Sequence, residues 1–526
     1  MLSALIWLPI FSAALIGFIP ANRSSSHYRN ISIVLATVFF LFSLVVAGQF
    51  DPTTPAFQLP EDIAWNETLG LRYHLGIDGL SLPLVVLNGL LTLIAIAVTK
   101  AEIERPRLYY SMILLLSGSV VGAFLAQDLL LFFLFYELEI IPLYFLIAIW
   151  GGKRRGYAAM KFLLYTALSG ILVLLSFIGL AWFGGGDHLG FDYSLLRQSV
   201  LPLETQILLL IPLLIGFLIK IPIFPFHTWL PDAHVEASTP ISILLAGVLL
   251  KLGTYGLLRF GIGLFLDAWT YLAPWLAILA AVSALYGAAC AIAQTDMKKV
   301  VAYSSISHMG YILLAAAAST PLSLTAAEFQ MVSHGLISGL LFLIVGVVYA
   351  KTGTRDITVL RGLLNPQRGL PLTGSLMIIG AMASAGIPGM VGFIAEFLVF
   401  RGSFPIFPVA TLLCLVATGL TAVYFLLVIN RVFFGRLLES ILPLPSVQWG
   451  ESLPALILTA AIVIFGIQPN WMVRWSEVET TSLVTGDWEL VNKAKEQSPP
   501  LELHRLPKHL RKSQKNIAQT NLSNSE

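Results

Sequence analysis

Charge is what this sequence has least of. Asp, Glu, Lys and Arg make up 11% of its 526 residues, where a soluble domain carries roughly 25%. Cysteine is nearly absent: Cys290 and Cys414 are the only two. They are too few for a disulfide framework, a four-thiolate zinc site or an iron–sulfur cluster. Neither GxGxxG, GxxxxGK[ST] nor HExxH occurs, so no local signature of dinucleotide, triphosphate or catalytic zinc is present. A formal net charge of +2 offers no basic surface to nucleic acid. No cofactor or metal is expected in this chain, and any redox chemistry it serves belongs to other chains.

What the sequence has instead is apolar length. Hydrophobic residues reach 57% and the mean hydropathy is +0.83, which predicts a polytopic membrane protein. A spanning helix needs about 20 mainly apolar residues. Fourteen runs qualify: 3–20, 30–48, 79–99, 109–126, 128–149, 158–183, 205–226, 240–262, 268–293, 300–317, 326–350, 371–400, 407–434 and 452–471. No basic residue precedes the first run, so it reads as a retained helix rather than a signal peptide. Loops after odd-numbered spans hold sixteen Lys and Arg, and loops after even-numbered spans hold four, Arg72, Arg197, Arg259 and Arg401. By the positive-inside rule the odd loops face the cytoplasm or stroma, and both termini face away from it. The tail 472–526 is polar, shows no helical or strand period, and is expected to be mobile in its last stretch.

The informative charges are those within the spans, where each costs at least about 2.5–3.5 kcal/mol. Lys161 lies near a helix end beside Lys153–Arg155, where it can snorkel. Lys220 and Lys251 are mid-span. Glu137 and Glu139 share the fifth span, two residues apart, and so project to nearly opposite faces; spacing alone does not choose which faces inward. His308 and His334 lie in the tenth and eleventh spans and Glu396 in the twelfth. A single intramembrane histidine can simply bond across helices, but this set alternates bases, acids and imidazoles over separate helices, as a proton relay requires. Two spans carry helix breakers: the seventh, IKIPIFPFHTWLP with Pro222 and Pro225, and the twelfth, AGIPGMVGF with Pro388, Gly389 and Gly392. Broken helices persist at membrane depth only where protein or a water cavity satisfies the freed backbone. Their offset of five spans inverts one unit relative to the other, the pattern of inverted repeats around an ion site.

Five stretches carry a resemblance: GIDGLSLPLVVL (77–88), DLLLFFLFYELEIIPLYFLIAIWGG (128–152), IKIPIFPFHTWLPDAHVEASTP (219–240), LLAGVLLKLGTYGLLRF (244–260) and QTDMKKVVAYSSISHMGYILL (294–314). They resemble the antiporter-like subunits of the complex I family, most closely the chain 4 type of the photosynthetic NAD(P)H–quinone oxidoreductases, over roughly residues 1–470. Tyr136 departs from the family's usual Trp. The resemblance implies an all-α membrane protein of about fourteen transmembrane helices with two inverted five-helix repeats and helices 7 and 12 broken. The expected divisions are 1–108, 109–267 for the first repeat, 268–434 for the second, 435–471 for helix 14, and the tail 472–526.

Carried over by motif, Glu137 resembles the family's helix-5 glutamate and Lys220 its partner. Lys251 resembles the connecting lysine, His308 and His334 the relay histidines, and Glu396 the terminal acid. Burial favours a neutral lysine and a nearby carboxylate a charged one, so a Glu137–Lys220 pair is expected to act as a switch, with Glu139 facing away. The implied function is proton pumping coupled to quinone reduction in partner subunits, which hold the iron–sulfur clusters and bind the quinone. The implied partners are other membrane subunits, especially neighbouring antiporter-like ones, and lipids, in a cyanobacterial thylakoid membrane or its plastid counterpart. The alternative is a D-type subunit of a multisubunit Na+/H+ antiporter, which shares the core motifs.

Overall fold

The computed structural model describes the chain except residues 21–22, 67–69, 101, 185–189, 440–442 and 486–526. Apolar surroundings offer the backbone no water to bond, so each long run closes its hydrogen bonds internally as helix. In chain order the elements are α1 (Leu2–Phe18), α2 (Ser25–Gln49), an antiparallel hairpin of β1 (Gln58–Asn66) and β2 (Leu71–Ile77), α3 (Leu82–Ala97), α4 (Pro106–Leu125), α5 (Leu129–Leu138), α6 (Ile140–Trp150), α7 (Arg155–Gly184), α8 (Tyr193–Leu196), α9 (Leu203–Lys220), α10 (Trp229–Glu236), α11 (Thr239–Leu244) and α12 (Leu250–Gly256). There follow α13 (Leu266–Ile292), α14 (Met297–Ala318), α15 (Pro321–Thr352), α16 (Pro371–Ser384), α17 (Val391–Ser403), α18 (Pro408–Val428), α19 (Trp449–Ile467) and α20 (Asn470–Thr485). Among the described residues, eleven helical stretches are long and apolar enough to cross a membrane, and Leu2–Phe18, Leu82–Ala97 and Pro371–Ser384 are shorter apolar helices.

Every predicted span falls on one of these helices or on a pair of them. Both predicted breaks are present. The seventh span divides into α9 and α10 after Lys220, and the twelfth into α16 and α17 around Gly386 and Gly389, whose positive φ of 69° and 92° an L side chain would strain. Two interruptions were not expected. The fifth span is divided into α5 and α6 at Glu139, and the eighth, Thr239–Ile262, contains π-helical turns at Leu245–Leu249 and Leu257–Ile262. The hairpin was also unforeseen. It sits on the even-loop side, where the His74 ring meets Asp192 at 2.6 Å and the Gln127 N–H donates to the His74 carbonyl at 2.8 Å.

Burial sorts the helices into a centre and a rim. Thr239–Ile262, α14 and α15 are buried almost throughout. By contrast α2, α7 and α18 present Val34, Leu41, Leu164, Ile171, Leu175, Val409 and Val416 outward, the apolar surface expected to face lipid or other subunits. The polar tail needs correction at its start. Asn470–Thr485 forms a helix, α20, with Met472, Ser476, Glu479, Thr480 and Leu483 buried; positions 472, 476, 479, 480 and 483 make one helical face. Thr480 bonds Thr325 of α15 at 2.7 Å, so α20 packs back onto the bundle. The rest of the tail lies outside the described residues.

Candidate functional site

The first cluster forms where α9 stops. Lys220 is its last residue, fully buried, and its ammonium is ion-paired and hydrogen-bonded to Glu139. A cation at a helix C-terminus is stabilised by the exposed carbonyls there, and the Tyr136 ring adds a cation–π contact, its centroid 4.4 Å from Nζ. The Tyr136 hydroxyl is held 2.8 Å from Ser169 Oγ, which donates to the Gly216 carbonyl at 2.8 Å. The departure from Trp at this position therefore leaves an aromatic face under the lysine.

The direct partner of Lys220 is thus Glu139 rather than the expected Glu137, which stays within electrostatic reach of the lysine. A two-residue step turns a helix by about 200°, so only one of the two glutamates can face α9, and that one is Glu139. Glu139 joins α5 to α6 with helical φ and ψ of −69° and −22°, and its side chain is fully buried. Glu137 points toward α7 instead. It is half-buried, and a Cβ at Gly170 would fall 1.8 Å from its Oε1. That oxygen has no hydrogen-bond partner.

The second cluster is continuous. Lys251, fully buried between the two π-helical turns, donates to the Ala246 carbonyl at 2.6 Å and lies 2.7 Å from His334 Nδ1. The wider π turn, uncommon and often found at functional sites, brings a carbonyl five residues back within reach of the ammonium. The His334 and His308 rings meet edge to face at 5.7 Å, and His308 Nε2 is 3.9 Å from Glu396 Oε1. Glu396 is buried against the second break, where a Cβ at Gly386 would fall 2.8 Å from its Oε2. The broken helix thus opens the room that the acid occupies.

Lys251, His334, His308 and Glu396, expected as relay members, are brought together, while the Lys220 stem packs on the same helix as Lys251, where a Cβ at Gly253 would meet Lys220 Cβ at 3.1 Å. Sequence reasoning passed over His234, although it stands in the quoted stretch HTWLPDAHVEASTP. Its ring is fully buried, stacks on Phe342 at 4.4 Å, has neither nitrogen hydrogen-bonded, and lies within electrostatic reach of Lys251 and Lys298. The signal was its place directly after the break. Two residues counted as loop charges are in fact buried. Lys298 donates to the Ala237 carbonyl at 2.6 Å, and Arg259 pairs with Asp78 and Glu479. Lys161 is peripheral, as its helix-end position suggested, and pairs with Asp232 at 2.8 Å. Among the described residues no group of three or more His, Cys, Asp or Glu is placed to hold a metal ion.

A helical membrane bundle with two broken helices, joined through its centre by acid, lysine and imidazole groups, defines an ion-translocating module of the antiporter type. Comparison with known proteins narrows this class. Residues 126–421 match the family model described as NADH:quinone oxidoreductase/Mrp antiporter, TM. The chain is 41% identical over 494 residues, 92% of each chain, to NAD(P)H-quinone oxidoreductase chain 4 1 of Synechococcus sp. (strain JA-3-3Ab). It is 42% identical over 443 residues to NAD(P)H-quinone oxidoreductase chain 4-2 of Synechocystis sp. (strain ATCC 27184 / PCC 6803 / Kazusa), covering 83% of this chain and 78% of that one. A chain of respiratory complex I from Thermus thermophilus superposes with a TM-score of 0.83 at 28% identity, covering 92% of this chain and all of that one. A chain of the Mrp complex from Dietzia sp. DQ12-45-1b has the same fold, with a TM-score of 0.82 at 19% identity over 93% and 98% of the two chains. The chain belongs to the NAD(P)H-quinone oxidoreductase chain 4 family of integral membrane subunits.

Proposed function

We propose that this chain is the proton-pumping membrane subunit of an NAD(P)H- or ferredoxin–plastoquinone oxidoreductase, seated in the thylakoid membrane of a cyanobacterium and serving photosynthetic electron transport. Iron–sulfur clusters and the quinone site are assigned to partner subunits, and the half-buried Glu137 side of the bundle to a neighbouring antiporter-like subunit. The two repeats are read as 109–267, around the Glu139–Lys220 pair, and 268–434, around His308, His334 and Glu396.

The observation that carries the reading is the series Lys251–His334–His308–Glu396, a hydrogen bond of 2.7 Å followed by a ring-centroid step of 5.7 Å and an approach of 3.9 Å. Each member can gain and lose a proton, and the 5.7 Å ring step is one that a rotating imidazole or one water closes. Glu139 is the gate in this mechanism. Paired, it holds the Lys220 proton. When it is drawn off, the ammonium loses its counter-charge, which for a buried pair costs several kcal/mol, and its proton passes toward Lys251. Energy released by quinone reduction elsewhere in the complex would supply the pull on Glu139. Moving one charge across 100 mV requires about 2.3 kcal/mol, so one such pair is of sufficient size to couple to the work.

The test is proton translocation per quinone reduced in vesicles holding the intact complex. Glu396→Gln keeps the side-chain volume and removes the charge change, and is expected to lower the ratio in a fully assembled complex. A wild-type ratio would remove Glu396 from the path. Co-purification with iron–sulfur subunits supports the oxidoreductase, and with small membrane chains alone the Na+/H+ antiporter.

A further inference from the structure

Apart from the relay, the densest buried charge lies at the opposite end of Thr239–Ile262. Arg259 follows Lys251 by eight residues, about 12 Å along the axis, toward the even-loop side. Each of its three guanidinium nitrogens has a partner. One terminal nitrogen pairs with Asp78, the other donates to Glu479 Oε1 at 2.9 Å, and Nε donates to the Tyr255 hydroxyl at 3.3 Å. The rings of Phe57, Tyr193 and Tyr255 surround it with centroids 5.0–5.4 Å away. Asp78 is fixed as well: its Oδ1 accepts from the Leu80 and Ser81 N–H groups at 3.1 and 3.0 Å.

A third acid stands in this cluster with no such partner. Glu328 of α15 is 1% exposed, has no ion-pair partner among the described residues, and lies within electrostatic reach of Asp78, Arg259 and Glu479, with the Ser476 hydroxyl of α20 beside it and neither carboxyl oxygen in a well-formed hydrogen bond. Arg197 is the other nearby cation, bound at 2.9 Å to the Ser482 carbonyl of α20 and within electrostatic reach of Glu479. Three carboxylates around one occupied guanidinium leave Glu328 without a counter-charge, and a buried carboxylate in that position is neutralised by taking a proton.

Two adjacent helices join this cluster to the relay. Thr239–Ile262 carries Lys251 and Arg259, and α15 carries His334 and Glu328. On α15, Gln330 Oε1 and Ser333 Oγ between them are buried without a partner. The cover is α20, seated so closely that a Cβ on Gly79 would fall 2.0 Å from the Trp475 carbonyl oxygen.

We propose that Asp78, Arg259, Glu328 and Glu479 form a second proton site, a release station on the even-loop side fed from Lys251 and His334, with Glu328 as the proton carrier and α20 as its cover. In the release step the Glu328 O–H bond breaks and the proton passes to water under α20. The carboxylate left behind takes over Arg259 from Glu479, and reprotonation from the His334 side restores the resting arrangement.

The inference rests on the proton-pumping reading, and the experiment separates the two. In vesicles with the intact complex, Glu328→Gln, which copies the neutral acid but cannot release a proton, is compared with Lys251→Met for protons moved per quinone reduced. A Glu328→Gln ratio below wild type, with loss of one protonated-carboxyl infrared band, supports the site. A wild-type ratio for Glu328→Gln beside a lowered one for Lys251→Met overturns it, leaving the cluster as a brace for α20 and the pumping function intact. Wild-type ratios for both variants defeat the pumping reading itself. Should Glu328→Gln fail to assemble, Glu328→Asp decides: a displaced carboxyl band supports a proton on residue 328, and an unmoved spectrum overturns it.

Discussion

Replacing Glu139 by Gln removes the acid that faces Lys220 and keeps its volume. Both side chains are fully buried, and Glu139 is the lysine's hydrogen-bonding partner. Deleting one member of such a pair leaves an uncompensated charge, at about 3–5 kcal/mol. The Tyr136 face, 4.4 Å away, does not offset this, because it acts equally with and without the carboxylate. With no carboxylate to draw off, the variant has no paired and unpaired forms to cycle between, and the switch that matches the roughly 2.3 kcal/mol of moving one charge across 100 mV is lost. Protons moved per quinone reduced should fall sharply in Glu139→Gln and less in Glu137→Gln, whose acid lies against Gly170 on the α7 side. The assay is acidification of inverted vesicles driven by quinone reduction, with assembly checked by native gel. An equal or larger loss in Glu137→Gln, at normal assembly of both complexes, would refute the argument that proximity to Lys220 decides which glutamate gates.

Lys251 makes its hydrogen bonds to a carbonyl and an imidazole and to no carboxylate, and replacing buried ionic groups by apolar ones of similar volume is often neutral or stabilising by about 1–4 kcal/mol. Lys251→Met should therefore give a complex with an unchanged or higher Tm that no longer pumps; a lowered Tm with retained pumping contradicts the relay. Gly386→Ala places a methyl group 2.8 Å from Glu396 Oε2 at a φ of 69°, a left-handed conformation costing roughly 1–2 kcal/mol for an L residue. It should lower the pumping ratio more than it lowers complex yield, measured side by side. On the hairpin, the hydrogen bond to Asp192 raises the His74 imidazole above its ordinary value, against burial, and that bond holds the Asp192 carboxyl low although burial raises it. The imidazolium's contribution is complete below about pH 6.5 and is lost as pH rises through the raised value, so the protection of residues 71–77, taken relative to base-catalysed intrinsic exchange, should fall on the alkaline side. A His74→Gln chain should lose that pH dependence.

The elements were legible because hydrophobic length decides them: the predicted spans fall on helices, and the breaks after Lys220 and around Pro388 come where prolines and glycines cluster, whereas lone prolines such as Pro212 and Pro274 stay inside helices. Lys251, His308, His334 and Glu396 were legible as relay candidates through motifs that sit on separate helices, but the order of the two histidines was not. Nor were two further kinds of information. Arg259 looked like a loop charge because it falls within four residues of a span's end, and only the return of α20 supplies Glu479 to it. That return was hidden because α20 packs on a face of Met, Ser, Glu and Thr, which carries little hydrophobic period to read.

The choice between Glu137 and Glu139 failed for a different reason. Helical phase is a cumulative quantity, about 100° per residue, and it can be projected along a span only while the helix continues. Glu139 keeps helical dihedrals, φ −69° and ψ −22°, so the phase carries through it and the two acids face opposite sides; which of those sides meets α9 depends on tertiary packing, which the spacing does not supply. Motif position and geometric position thus part company within two residues. A substitution pair that reads proton translocation therefore tests more than a gate: it asks whether the acid matched by motif or the acid placed against Lys220 by tertiary packing carries the charge.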